Sequence, residues 1–169
     1  AINNNSRRFG LIGDPALTLS FPRHKVITSE INNTPISLAT DTLKALERIT
    51  IKGYISSNSG TKMTNFNGII YPTVYDKPKQ LATLGNRQPS DIYPFKLQNS
   101  VLHKGKATVT NGDFEFTFVV PKDINYQYGE GKISYYAYDG KEDATGAYKE
   151  VIIGGNSNTA GQDNEGPQI

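Results

Sequence analysis

The chain has 169 residues, 36% of them hydrophobic, with 18 Lys and Arg against 16 Asp and Glu, two His and no Cys. A chain of that length can bury roughly two thirds of the surface its unfolded form exposes, so it supports one domain without a staple. The missing cysteines exclude disulfides, thiolate zinc sites and a thiol nucleophile within these residues, and the interleaved charges exclude the clustered basic face that nucleic acid selects.

The stretch "FGLIGDPALTLSFP" places Phe9, Leu11, Ile12, Leu17, Leu19 and Phe21 in an apolar run broken by Gly13-Asp14-Pro15. A buried segment therefore arrives almost at once, with no Met and no basic-then-apolar leader before it, so the start reads as a cut through a longer protein. No apolar stretch approaches the ~18 residues that a membrane span needs.

Further along, "KVITSEI" and "TPISLAT" are candidate strands, whereas "DTLKALERI" predicts a helical turn or two, with Asp41 as N-cap and Leu43 and Leu46 three apart. In "ERITIKGYISS", Ile49, Ile51 and Ile55 share one face of a strand, and Gly53 is expected to mark a bulge. "FNGIIYPTVYD" is apolar on both faces, and its Pro72 predicts an edge or irregular strand. "PFKLQNSVL" is another candidate strand. "KATVTNGDFEFTFVVP" predicts a hairpin turning at Asn111-Gly112, with Phe114, Phe116, Phe118 and Val120 inward. "GKISYYAYDG" sets Ile133, Tyr135 and Ala137 against Ser134, Tyr136 and Tyr138, and "AYKEVIIGG" supplies a late strand. About eight or nine short strands, split by Gly, Pro and Asn, predict an all-β fold: an immunoglobulin-like antiparallel β-sandwich, with a closed barrel fitting the same periodicity. The tail "GGNSNTAGQDNEGPQI" has the composition of a linker.

The chemistry-bearing residues are few. His24 and His103 lie near no G-x-S-x-G elbow and read as surface or interface histidines. The basic pairs Arg7-Arg8, Lys77/Lys79 and Lys104/Lys106 read as solvated surface. Asp139, Glu142 and Asp143, beside Gly140 and Gly146, are candidate calcium ligands, as are Asp163 and Glu165. Neither stretch matches a twelve-residue calcium hand, turn formation is the simpler reading, and no other cofactor is expected. Tyr126, Tyr128, Tyr136 and Tyr138, with Tyr135 between them, offer a candidate aromatic surface for sugar, though half-buried strands favour Tyr without any ligand.

Five phrases in order, "FGLIGDPALTLSFP", "NGIIYPTVYDKP", "LHKGKATVTNGDFEFTFVVPKDINYQYGEGKISYYAY", "DATGAYKEVIIGG" and "DNEGPQI", resemble the region after the catalytic domain in gingipain-like cysteine peptidases of Bacteroidetes. Within that family they are most similar to the PorU-type sortases of the type IX secretion system. The resemblance implies that residues 1–22 are the tail end of the peptidase domain, 23–155 an immunoglobulin-like domain, and 156–169 a linker to a following β domain. It also implies an interdomain seam at Phe9, Leu11, Ile12, Leu17 and Leu19. The family's catalytic Cys and His lie upstream of the matched region, so no catalytic residue is carried onto this chain. The implied parent is exported to the outer membrane or cell surface, works with type IX secretion components, and cleaves C-terminal signal domains from cargo. A carbohydrate-binding or adhesion module is the alternative, and it would use the tyrosines.

Overall fold

The computed structural model describes residues 14, 16, 20–38, 42–86 and 91–157. Its strands are β1 (His24–Ile31), β2 (Thr34–Pro35), β3 (Leu43–Ala45), β4 (Arg48–Ser56), β5 (Gly68–Tyr75), β6 (Lys79–Ala82) and β7 (Pro94–Leu97), followed by β8 (Val101–Lys104), β9 (Ala107–Thr110), β10 (Asp113–Val119), β11 (Gly129–Glu130), β12 (Lys132–Tyr138), β13 (Asp143–Tyr148) and β14 (Ile152–Asn156). The all-β expectation holds. The main sheet runs β12-β13-β1-β4-β10-β9-β5, and β5 pairs back onto β12, so the sandwich closes its hydrogen-bond ladder into a barrel-like ring. The two architectures that periodicity left open are thus not exclusive here. Its ladders are antiparallel except for the short parallel pairing of β1 with β13; a second parallel pair joins β3 to β14 in a small separate sheet with β11.

Period-two alternation builds the core. Ile49, Ile51 and Ile55 of β4 point inward with Phe114, Phe116 and Phe118 of β10, and Ile133, Tyr135 and Ala137 of β12 close the space from across the ring. Each such large apolar side chain stabilises the fold by about 1.5–3 kcal/mol on burial. Phe114 lies opposite Gly53 in register, and a Cβ on Gly53 would sit 2.5 Å from the Phe114 ring, so the glycine makes room for the phenyl group. The expected bulge is real but lies in the partner strand: β1 shifts register between Thr28 and Glu30, directly across from Gly53 and Lys52. Inside the core, Thr28 Oγ1 and the Tyr135 hydroxyl share a 2.8 Å hydrogen bond. Burial raises the Tyr135 pKa well above its ordinary value, an effect that the Thr28 bond partly offsets.

The hairpin turns are chemically legible. Asn111 and Gly112 both have positive φ, 53° and 80°, as the tight turn between β9 and β10 requires. Asn32 and Asn33, at 51° and 62°, make the same kind of turn between β1 and β2.

Two expectations are corrected. The predicted helical turns do not form: Leu43–Ala45 is strand β3, paired with β14, and Leu46 has φ 65°. Leu43 and Ala45 are fully buried two residues apart, so tertiary pairing overrides a weak helical spacing; Asp41, the supposed cap, lies outside the described residues. Of the two readings of Pro72 the edge fails, because β5 has β12 on one side and β8 and β9 on the other, while the irregular strand holds, with a register shift between Val74 and Tyr75. β9 pairs with Gly68, Ile69 and Ile70 and β8 with Thr73, Val74 and Tyr75, so Pro72 falls opposite the break between them, where no ladder donor is needed.

The strand directions give the barrel two unlike poles. β1 starts at the near pole beside the start of β13, while β3, β11, β14 and the β6–β7 hairpin all gather at the far pole, where β5 ends and β12 begins. The described chain therefore enters at one pole and leaves at the other.

Candidate functional site

The acidic loop at the near pole is built as a turn. Asp139 Oδ1 accepts hydrogen bonds from the backbone N–H groups of Lys141 and Glu142, both at 2.8 Å, and these, the Glu142 bond first, hold its carboxyl below the ordinary aspartate range. Glu142 turns to the start of β1 instead, accepting from His24 Nε2 at 2.9 Å with Arg23 at 3.8 Å. Asp143 opens β13 opposite Tyr138. The Asp139 and Glu142 carboxylates thus answer to different partners, and among the described residues no three His, Asp or Glu side chains are placed to hold an ion. Asp163 and Glu165 lie outside the described residues.

The tyrosines separate into three places. Tyr135 belongs to the core. Tyr136 and Tyr138 stand on the outer wall, where Tyr136 stacks on Tyr71 of β5 with ring centroids 6.4 Å apart and Tyr138 lies opposite Ile69. Those four side chains form an exposed apolar tile flanked by Thr145 and Asp143 of β13. Tyr126 and Tyr128 sit instead at the far pole, where the Tyr126 hydroxyl donates to the Lys122 carbonyl and the Tyr128 ring lies against Gly155.

Neither histidine is placed as a base. His24 Nε2 donates to a carboxylate, and its buried Nδ1 finds no hydrogen-bond partner among the described residues. His103 stacks on Phe118 at 4.8 Å and Phe116 at 5.9 Å, and burial lowers its pKa. Across β1, β4 and β10, Glu30, Lys52 and Glu115 share one register row along a shallow groove, with Lys52 3.6 Å and 3.8 Å from the two carboxylates. Exposed pairs of this kind contribute about 0–1 kcal/mol.

The least expected surface is the far-pole ribbon. β6 and β7 pair in register, Lys79 with Leu97 and Leu81 with Phe95, and Thr83 continues the pairing to Tyr93 by a 2.9 Å backbone hydrogen bond. Alternation therefore puts Leu81, Tyr93, Phe95 and Leu97, together with Lys79 and Thr83, on one face and Gln80, Lys96, Ala82 and Pro94 on the other. Every residue of both strands is exposed, so the apolar face has no backing among the described residues.

The root of that ribbon is tied to the far pole by side-chain hydrogen bonds. Lys77 Nζ donates to Asp76 Oδ1 at 2.8 Å, to the Asn125 carbonyl at 2.8 Å and to the Ile153 carbonyl of β14 at 3.2 Å, and the two side chains are only 12% and 9% exposed. Gln98 Nε2 donates to the Asp76 carbonyl, tying the returning strand to the same point. This corrects the reading of Lys77/Lys79 as a solvated pair: Lys79 is exposed, but Lys77 is a structural cation. Its only sequence signal was the Asp-Lys-Pro step after a strand. The seam residues Phe9, Leu11, Ile12, Leu17 and Leu19 lie outside the described residues, as do Arg7 and Arg8.

No protein-family model and no curated protein matches the chain. Among solved structures it is similar to dimeric latent PorU from Porphyromonas gingivalis, at 32% identity and a TM-score of 0.69 over 86% of this chain. The match spans 14% of the PorU chain. With no cysteine, the chain contains no catalytic cysteine of its own. In fold and in sequence it thus resembles one region of a much larger protein.

Proposed function

We propose that this chain is the non-catalytic β-sandwich domain behind the peptidase domain of an exported, gingipain-like sortase of the type IX secretion system. The observation that carries this reading is the likeness to PorU in both sequence and fold over most of the chain. In that role the peptidase cleaves C-terminal signal domains from cargo, and this domain supports it from outside the active site. The opposite poles at which the chain enters and leaves suit an in-line spacer, a stiff element that sets the distance between its neighbours. Phe9, Leu11, Ile12, Leu17 and Leu19 then form the seam with the peptidase. The test is to read the coding sequence upstream of Ala1 and to substitute Leu17→Asp in the parent polypeptide. A Cys and His preceding the Gly-Asp-Pro segment, with a junction that the substitution opens to protease, support the reading. An unrelated upstream domain overturns it.

The stacked Tyr71 and Tyr136 beside Tyr138 favour a second reading, a carbohydrate-binding or adhesion face. Binding on a glycan array that Tyr136→Ala abolishes would support it; an array with no binding would remove it.

A further inference from the structure

The ribbon β6–β7 poses a physical problem that the rest of the fold does not. An isolated two-stranded hairpin is marginal in water, and strands that alternate apolar with polar do so because one face is covered. Here that face is uncovered among the described residues: Leu81 is 42% exposed, Phe95 42%, Leu97 39% and Tyr93 63%. Lys77 and Asp76 anchor the root of this ribbon to the Asn125 carbonyl and to β14.

We propose that the apolar face of the β6–β7 ribbon is the docking surface for the domain that follows β14 in the same polypeptide. The inference rests on the proposed place of this chain within a larger protein. Three observations select that occupant. First, the ribbon stands at the pole where the chain leaves, and its root is bonded to β14 itself through Lys77 Nζ and the Ile153 carbonyl. Whatever follows β14 is delivered beside it, whereas a domain preceding β1 is delivered to the opposite pole. Second, residues 158–169 hold a single large apolar side chain, Ile169, so this tail is suited to be a tether and not the cover. Fully extended, twelve residues reach at most about 40 Å, which keeps an attached domain close.

Third, the face is too small for a free partner. A stable association between separate proteins uses about 20–30 residues a side, but a tethered one works at an effective concentration near the millimolar range and needs far less. The same comparison argues against a second copy of this chain. A bilayer is disfavoured by the polar Asn86 and Asp91 beyond the paired strands, where an inserting hairpin would be apolar.

The test is hydrogen exchange on the full parent polypeptide carrying a specific protease site within residues 158–169. Before cleavage, amides of residues 79–82 and 94–97 should exchange at least about tenfold more slowly than in the 169-residue chain alone. After cleavage and dilution to nanomolar concentration that protection should vanish, and Leu81→Ser with Phe95→Ser should abolish it in the uncut protein while leaving exchange in β4 and β10 unchanged. Equal exchange in the parent and the short chain overturns the proposal. So does protection that survives cleavage, which assigns the face to an upstream domain, or protection that rises with the concentration of the short chain, which assigns it to a second copy. If instead no peptidase lies upstream, the functional reading fails while the ribbon result stands on its own.

Discussion

Replacing Lys77 with Met keeps the aliphatic stem, which crosses closely over Gly129, and removes only the charged nitrogen. Three acceptors lose their donor: Asp76 Oδ1 at 2.8 Å, the Asn125 carbonyl at 2.8 Å and the Ile153 carbonyl at 3.2 Å. With Asp76 only 9% exposed, its carboxylate remains buried with the backbone N–H of Lys77 as a partner at 2.8 Å. Removing one member of a buried pair costs about 3–5 kcal/mol, and the surviving backbone bond places Lys77→Met at the low end, about 3 kcal/mol. For a chain of this size each kcal/mol moves the melting temperature by roughly 2–4 °C, so the expected drop is about 6–12 °C. Thermal denaturation followed by circular dichroism reads it directly. Because the pair is buried, 0.5 M salt should leave the difference nearly intact, unlike that of a surface pair. In the double mutant Asp76→Asn/Lys77→Met the orphaned charge is gone, so the double change should cost less than the sum of the singles by at least about 1 kcal/mol. A Lys77→Met shift under about 2 °C, or strict additivity in the cycle, would refute the assignment of this ion pair as the anchor of the ribbon.

Three further predictions follow from the core. Gly53→Ala puts a methyl group against the Ile27 carbonyl and 2.5 Å from Phe114 Cζ, and should destabilise the fold by about 3 kcal/mol in chemical denaturation; a loss below about 0.5 kcal/mol would contradict the packing. Tyr135→Phe strands the buried Thr28 hydroxyl and should cost about 1–3 kcal/mol, while Thr28→Val/Tyr135→Phe should recover most of that loss, because both polar partners are then gone. His103 has its pKa lowered by burial, so as pH falls below 6.5 the unfolded chain takes up the proton first. Stability should therefore decline from pH 7 until the pH passes the folded-state value, and in His103→Phe this part of the decline should disappear from urea midpoints measured between pH 7 and 5.

The strands that carry the core were legible because their burial is one-sided. Phe114, Phe116 and Phe118 alternate with Glu115 and Thr117, and Ile133, Tyr135 and Ala137 with Ser134 and Tyr136, so period two fixes both the strand and its inward face before any partner is known. Asn111-Gly112 was equally readable, since few other residue pairs tolerate positive φ at both positions. By contrast, Leu43 and Leu46 stood three apart and looked helical only because β14, the strand that claims Leu43 and Ala45, lies about a hundred residues further along the chain.

The candidate surfaces divide the same way. Exposure of Tyr136 and Tyr138 follows from alternation with buried Tyr135 and Ala137, but their stacking on Tyr71 and separation from Tyr126 and Tyr128 depend on which strands meet. By itself the sequence determined an all-β chain with a phenylalanine-rich core, a tight Asn111-Gly112 turn and no catalytic cysteine, because periodicity, φ preference and composition are local properties. Only the tertiary structure decided that the sheet closes through β5 and β12, that Lys77 is buried by carbonyls from two distant segments, and that the described residues leave the ribbon's apolar face without cover. Each of those depends on register between residues far apart in sequence, which no local pattern encodes.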